Sequence, residues 1–411
     1  MRLSKRYWRV TELLLTRGCA LATKFALTIY LARVVGLDVL GWYGLIVSAS
    51  LAGPILLRGG VFNALLRELA LLDAASTRKE LSLYRSFVAL GYCLLTIPII
   101  CAAFFAGVTP VITLCVVWII YCEQRIADAT QILFALRKPR AAAWLTLGYT
   151  IGSAALFMII STLEPSWRSL DGLLLSWSAA ATLTVAVLNW SAAERLQPPS
   201  VKQTIGWARR LLIESRAIYL HELLNTARDH SDRYLITLLM GIEATGVYVF
   251  FLQFANAAST LVNSAFVFPA RSSLIAAAHE SVQAFTIAFN ALCLKALALM
   301  AMQLGLAIVA FVIVGQFALP VSVAAQFAAG CWILAASWLQ MALTLAGMGL
   351  YARRRDGVRL MASCCAAATI PLAALILVPT HGLIGMAWAN MMASIFALAI
   401  VLNRRCVASS R

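Results

Sequence analysis

Twelve stretches of twenty or more mostly apolar residues follow one another along this chain, with short connections between them. A run of that length crosses ~30 Å of hydrocarbon as a helix. In that layer every backbone polar group has to be satisfied inside the protein. The runs lie near residues 12–34, 41–64, 84–106, 110–135, 141–160, 171–191, 212–240, 245–269, 286–313, 320–350, 359–379 and 383–403. No strand-like alternation persists, which excludes a β-barrel. The expected fold class is an all-α integral membrane protein with twelve transmembrane helices. The seventh run is the least regular. Its first two-thirds, IESRAIYLHELLNTARDHSDR, reads equally well as an amphipathic surface helix.

Of 411 residues, 62% are hydrophobic and only 12% are charged, about half the ~25% charge of a soluble domain. That excludes a soluble enzyme, a disordered chain and a secreted disulfide scaffold. The ten cysteines mostly sit inside apolar runs and form no CxxC pair, so they read as small buried hydrophobes. The longest loop opposite the termini, STLEPSWRSLD, is too short to house an active site. The four histidines are scattered, and HExxH, GxSxG and Walker A runs are all absent. The chain is therefore read as no enzyme, with no catalytic residue, metal or cofactor. MRLSKRYWR and the run after it lack a small-residue cleavage site and read as a first span that stays.

The net charge is +16, from 33 basic and 17 acidic residues. Nucleic acid is not the expected partner, because no soluble module offers a basic face. Twelve spans put both termini on one side of the membrane. Nearly all loop cations fall on that side, in clusters such as Arg78 and Lys79, Arg137 to Arg140, Arg209 and Arg210, and Arg353 to Arg355. The opposite loops hold Arg168 alone. Both termini are accordingly expected in the cytoplasm, with the chain multi-pass in a bacterial inner membrane.

The chain repeats itself. Gly36-x4-Gly41-x-Tyr43 joins the first two spans, and Gly241-x4-Gly246-x-Tyr248 joins the seventh and eighth, 205 residues on. Glycine supplies the turn, and tyrosine is expected at the membrane interface. The halves are therefore 1–200 (spans one to six) and 201–411 (spans seven to twelve). They enter the membrane in the same orientation, as a parallel repeat of the kind that builds transporters.

The segments LARVVGLDVLGWYGLIVS, SDRYLITLLMGIEATGVYVFFLQFANAASTLV, FVFPARSSL and GLIGMAWANMMASIFALAIVLNRR resemble the Wzx-type polysaccharide flippases of the multidrug/oligosaccharidyl-lipid/polysaccharide exporter superfamily. With the twelve-span plan, the resemblance covers nearly the whole chain. It implies two pseudo-symmetric six-helix bundles around a central cavity. It also implies translocation of an undecaprenyl-pyrophosphate-linked oligosaccharide from the cytoplasmic to the periplasmic leaflet. Other implied partners are membrane lipid and the polymerase and chain-length regulator of the same pathway.

Ionisable residues inside spans are costly and mark cavities or partners. Arg17 and Lys24 lie seven apart on the first span, hence on one face. Arg58 is on the second span; it and Arg17 lie roughly 8–9 Å from the cytoplasmic ends of their spans. These three cations, extended by Lys295 in the ninth span, are the candidates for gripping a pyrophosphate. The lipid II flippases, which the resemblance brings in as cousins, use cavity arginines in their first two spans; Lys24 departs from arginine. A shift of 205 places Glu222 on Arg17 and Asp229 on Lys24, so these acids, with Asp232, are candidates for a charge-paired gate. The competing reading is neutralisation along the helix, Arg228 with Asp232 and Asp229 with Arg233. In the fourth span Arg125 and Asp128 are spaced to pair, and Glu123 is left over for a coupling cation, the sugar or another helix. Trp42, Trp167, Trp177 and Trp190 read as interface anchors.

The function expected is flipping of a lipid-linked O-antigen or exopolysaccharide unit by alternating access. The drive is external, a proton or sodium gradient or consumption of the product. A multidrug exporter of the same superfamily is the first alternative, disfavoured by the basic sign of the deep N-half charges. A membrane polymerase or ligase of lipid-linked sugars is the second, disfavoured by the short loops.

Overall fold

Proline and glycine set the helix boundaries, and the helices are long because little else interrupts the apolar runs. The structure is a computed structural model that describes residues 2–58, 60–69, 73–105, 109–136, 138–191, 199–315, 321–353 and 355–408. Arg137 and Arg354, counted above among the loop cations, lie outside the described residues. The helices are α1 (Arg2–Tyr30), α2 (Leu37–Arg58), α3 (Val61–Leu69), α4 (Ala74–Phe105), α5 (Pro110–Ala135), α6 (Pro139–Leu163) and α7 (Leu170–Ser191). They continue with α8 (Val201–Met240), α9 (Ile242–Val262), α10 (Phe268–Glu280), α11 (Val282–Gly315), α12 (Val321–Ala324), α13 (Phe327–Ala352) and α14 (Asp356–Ala408). Among the described residues there is no strand, as the all-α reading requires.

Among the described residues, ten helices are long and apolar enough to cross a membrane. The last of them, Gly357–Asn403 within α14, holds 47 residues, about 70 Å of helix and twice the hydrocarbon thickness. It is a hairpin of two passes. Gly382 has φ 57° and ψ −135°, and a Cβ placed on Gly385 would strike the carbonyl of Leu377. Residues eight apart on a straight helix are separated by about 12 Å, so the chain doubles back at Gly382. The seventh span lies in α8, a continuous helix of 40 residues that is too charged to count among the ten. With the second pass of α14 and with α8, the described helices agree with twelve passes. Several boundaries differ from expectation: α4 starts at Ala74 where the third span is expected from residue 84, and α9 ends at Val262 where the eighth is expected to run to 269. The second span, expected over 41–64, ends as α2 at Arg58, and Gly60 at φ 80° starts the short α3.

The chain divides into two compact units. The first takes in residues 1–30 and 46–223; the second takes in 31–45 and 224–411. In the first unit α6 packs against α1, α5 and α7. Arg140 and Trp144 reach Glu12 near one end of α1, and Ser161 bonds Tyr30 at the other. The two helices therefore run in the same direction, as first and fifth spans must. Asp73 starts α4 by accepting the Ser76 backbone N–H at 3.2 Å; hydrogen bonds from Ser76, side chain first, hold its carboxyl below the usual carboxylate range. α3, α4 and α8 share an apolar core that includes Phe62, Leu65, Val88, Trp207 and Leu211. In the second unit Phe254 and Phe311 meet edge to face at 4.3 Å between centroids.

The internal repeat reappears as a contact. Gly36 and Gly241, at φ 149° and 92°, turn the two hairpins. A Cβ on Gly41 would strike the Ile242 carbonyl, and a Cβ on Gly246 would strike the Leu37 carbonyl. The shift of 205 carries Leu37 onto Ile242 and Gly41 onto Gly246, so the contact is reciprocal. Tyr43 and Tyr248 are buried, not at a membrane interface as the sequence reading had them. Cys19, Cys93, Cys101 and Cys364 are exposed, so these four are not the buried hydrophobes expected; a membrane surface is apolar and accepts them.

Gly246→Leu is expected to lower stability by about 1–3 kcal/mol, because the opposing atom is backbone and cannot rotate away. Gly148→Ala, where a Cβ meets nothing within 4 Å, should be neutral or stabilising. Thermal unfolding of the purified protein in detergent checks both.

Candidate functional site

α5 carries acidic and amide groups on two faces. Gln124 and Asp128 are one turn apart on one face; Glu123 is rotated by about 100° onto the other. The first face meets α2 and α4. Arg58, at the end of α2, sends Nη1 to Asp128 Oδ1 at 2.7 Å, and Tyr84 donates to Asp128 Oδ2 at 2.6 Å. Tyr92, two turns further along α4, donates to Gln124 Oε1 at 2.7 Å. The Arg58 Nε donates to the Pro54 carbonyl at 3.2 Å, and the guanidinium lies 5.0 Å from the centre of the Phe62 ring. Glu222 of α8 is close enough for its charge to act on Arg58. The Asp128 side chain is only 5% exposed. Burying a carboxylate without partners is prohibitive, so Arg58 is drawn inward to it. Spacing alone pairs Asp128 with Arg125. Arg125 instead reaches Asn189 of α7 at 3.1 Å, because α5 turns its Asp128 face toward α2 and α4.

The second face meets α6 and α7. Glu123 Oε1 accepts from Tyr149 at 2.5 Å and from Trp177 Nε1 at 3.2 Å. Tyr149 and Trp177 are buried. Trp177 is thus not an interface anchor; its N–H needs an acceptor and finds this carboxylate. Lys24 of α1 is exposed, and its charge acts on Glu123. Arg17, two turns earlier on α1, is half-buried. Arg17, Lys24, Arg58, Glu123, Asp128 and Glu222 thus all belong to the first unit.

Asp229, Asp232 and Lys295 belong to the second unit. Arg228 Nε sits 2.8 Å from its neighbour Asp229. Asp232 is buried and accepts from Tyr248 at 2.6 Å and from the Arg233 backbone N–H at 2.8 Å. Asn390 donates to the same Tyr248 oxygen at 3.2 Å. Arg233 Nη1 lies 2.7 Å from His230 Nδ1. These contacts differ from the one-turn pairs, Arg228 with Asp232 and Asp229 with Arg233, of the competing reading. Lys295 is exposed on α11. Among the described residues, no group of three or more metal-ligating side chains comes together.

The residues that the sequence analysis did not single out are Tyr84, Tyr92, Tyr149 and Asn390. The legible signal was Tyr84 and Tyr92 on one stripe of an apolar run. Asp128→Ala would leave Arg58 buried beside a gap; removing one partner of a buried pair costs about 3–5 kcal/mol, and nearby Glu222 favours the lower end. Arg58→Met with Asp128→Leu is expected to lose less than Asp128→Ala alone, read as thermal unfolding of the three proteins side by side.

No family model and no curated protein matches the chain. Solved structures do. The chain is similar to the lipid II flippase MurJ in an inward closed conformation, with a TM-score of 0.71 at 14% identity over 96% of this chain and 86% of that one. It is similar to an inward-facing multidrug resistance MATE family transporter of the MOP superfamily, at 0.66 and 12% over 94% and 95%. A MATE transporter of Vibrio cholerae aligns at 0.57 and 10% over 98% and 97%. These helices therefore adopt the fold shared by the lipid II flippase MurJ and the MATE transporters.

Proposed function

We propose that this protein is a flippase for an undecaprenyl-pyrophosphate-linked oligosaccharide, an O-antigen or exopolysaccharide unit. It carries the unit from the cytoplasmic to the periplasmic leaflet of a bacterial inner membrane by alternating access, with both termini cytoplasmic. The observation that carries the reading is the sign of α1. After Glu12 the helix holds no acidic residue, yet Arg17 and Lys24 stand on one face of it. Lys24 is exposed, and the carboxylate it acts on, Glu123, is already held by Tyr149 and Trp177. A deep ammonium set out in this way suits a diphosphate. The fold supports a lipid-linked substrate, since one protein that shares it is a lipid II flippase. The drive is a proton or sodium gradient or removal of the flipped product by a polymerase and its chain-length regulator.

The carboxylates Glu123 and Asp128 on α5, the second of them buried, favour a second reading, export of cationic drugs by ion antiport. Their oxygens, however, already accept hydrogen bonds from tyrosine, tryptophan or arginine, whereas the Lys24 ammonium is exposed.

Lys24→Ala in a strain lacking the chromosomal copy should cut surface polysaccharide about tenfold, the effect of losing one charge-assisted phosphate contact of ~1.5 kcal/mol. Lys24→Arg should retain most of it. Ladders of normal intensity from Lys24→Ala at matched protein level would overturn the flippase reading. Efflux of a fluorescent cation by the unaltered protein would favour the second.

A further inference from the structure

α4 and α8 leave a long groove between them in the first unit. One part of it, about 750 Å³, is lined by Arg78, Lys79, Glu80 and Leu83 of α4 and by Trp207 and Arg210 of α8, among others. The next part, about 590 Å³, is lined by Phe87, Leu90 and Leu94 of α4 and by Ala208, Leu212 and Ile213 of α8, with Arg209 and Arg216 at its margin. Residue numbers rise along both helices in the same direction, so the basic part and the apolar part lie end to end. From Arg78 to Leu94 the groove extends about 24 Å along α4. Each volume falls within the ~300–1,000 Å³ of ordinary ligand sites.

The chemistry changes along that length. Five cations, Arg78, Lys79, Arg209, Arg210 and Arg216, line the two parts, against one acid, Glu80. Glu80 accepts the indole N–H of Trp207, which ties the two helices together beneath the mouth. Glu214 is exposed on α8 outside the lining. The far part is apolar and open: Leu94 is 67% exposed and Ile213 59%. Exposed leucine and isoleucine beside several cations fit a molecule that is anionic at one end and hydrocarbon at the other.

We propose that the α4–α8 groove is a binding site for an anionic diacyl phospholipid. The headgroup phosphate lies among Lys79, Arg209 and Arg210, and one acyl chain runs along Phe87, Leu90, Leu94, Leu212 and Ile213. The site is separate from the α1 cations and does not depend on which substrate they take. Bound lipid would fasten the amino-terminal stretch of α8, which is too charged to be held by hydrocarbon alone, against α4.

The test uses the purified full-length protein in a neutral detergent, titrated with phosphatidylglycerol or with phosphatidylcholine of the same chains. Phosphatidylglycerol is expected to raise the unfolding temperature, and phosphatidylcholine is not. Lys79→Gln with Arg210→Gln should weaken phosphatidylglycerol binding at least tenfold, while Lys79→Arg with Arg210→Lys keeps it. Should the glutamine protein fail to fold, salt dependence in the unaltered protein decides: binding that falls as salt rises supports the site, and binding indifferent to salt removes it. Equal stabilisation by phosphatidylcholine would overturn the proposal, as would undiminished binding by the folded glutamine protein. Displacement of phosphatidylglycerol by undecaprenyl pyrophosphate at matched concentration would also overturn it, giving the groove to the transported lipid instead.

Discussion

Backbone meets backbone where the two glycine hairpins touch in the second unit, and much else depends on that contact. Lipid tails are as apolar as leucine, so helices in a bilayer gain little from hiding apolar surface against each other. Close approach, with its dispersion contacts, supplies the cohesion instead. Gly41 faces the Ile242 carbonyl and Gly246 faces the Leu37 carbonyl, with no room for a methyl group at either place. Because each half of the contact is the image of the other, a side chain in one copy cannot be compensated by the other copy. Gly44 belongs to the same surface, since a Cβ there would strike the Val249 side chain. The segment 31–45 is far in sequence from 224–411, yet it belongs to the second unit through contacts of this kind.

The same economy of means governs the buried charges. Three carboxylates, Asp128, Glu123 and Asp232, each accept a hydrogen bond from a tyrosine: Tyr84, Tyr149 and Tyr248. Tyrosine brings a large apolar body that packs like any core residue and one donor that a carboxylate can use. Desolvating a carboxylate costs several kcal/mol, and a hydrogen bond to a charged group returns about 1.5–3. One such bond is therefore not enough, and each carboxylate has another donor. Asp128 has Arg58, Glu123 has Trp177, and Asp232 has the backbone N–H of Arg233.

What could be read from sequence follows the range of the interactions involved. Span length, apolar periodicity and charge bias are local or additive, and they gave the all-helical class and the order of passes. The repeat was legible because glycine at fixed spacing has few other uses. The partners of charged groups were not legible in the same way. Spacing joined Asp128 to Arg125, three residues off, but the pairing is decided by which helix α5 faces, and that places Arg58 at Asp128 across 70 residues of sequence. Trp177 and Tyr248 were misjudged for the same reason. Their amphipathic side chains suit an interface in general, and only the packed neighbours reveal that a carboxylate has claimed the polar end. Gly382 turns one 53-residue helix into two passes, a break visible in sequence only through Pro379 and the glycine after it.

Two cations singled out together have different fates, and the difference bears on how an anion would be handled. Arg58 already holds Asp128, the Pro54 carbonyl and the face of Phe62. A phosphate that reached it would have to replace a buried carboxylate, leaving Asp128 with Tyr84 alone. Lys24 acts on Glu123 from an exposed position, and Glu123 keeps two donors whether or not the ammonium stays near. On the flippase proposal, an incoming diphosphate would therefore meet a much smaller penalty at Lys24 than at Arg58. The lysine would be the contact made first, while the arginine anchors α2 to α4 and α5. Arginine is suited to the second task because its planar fork can bind several acceptors at once, and lysine to the first because a compact ammonium on a flexible stem can exchange one anion for another.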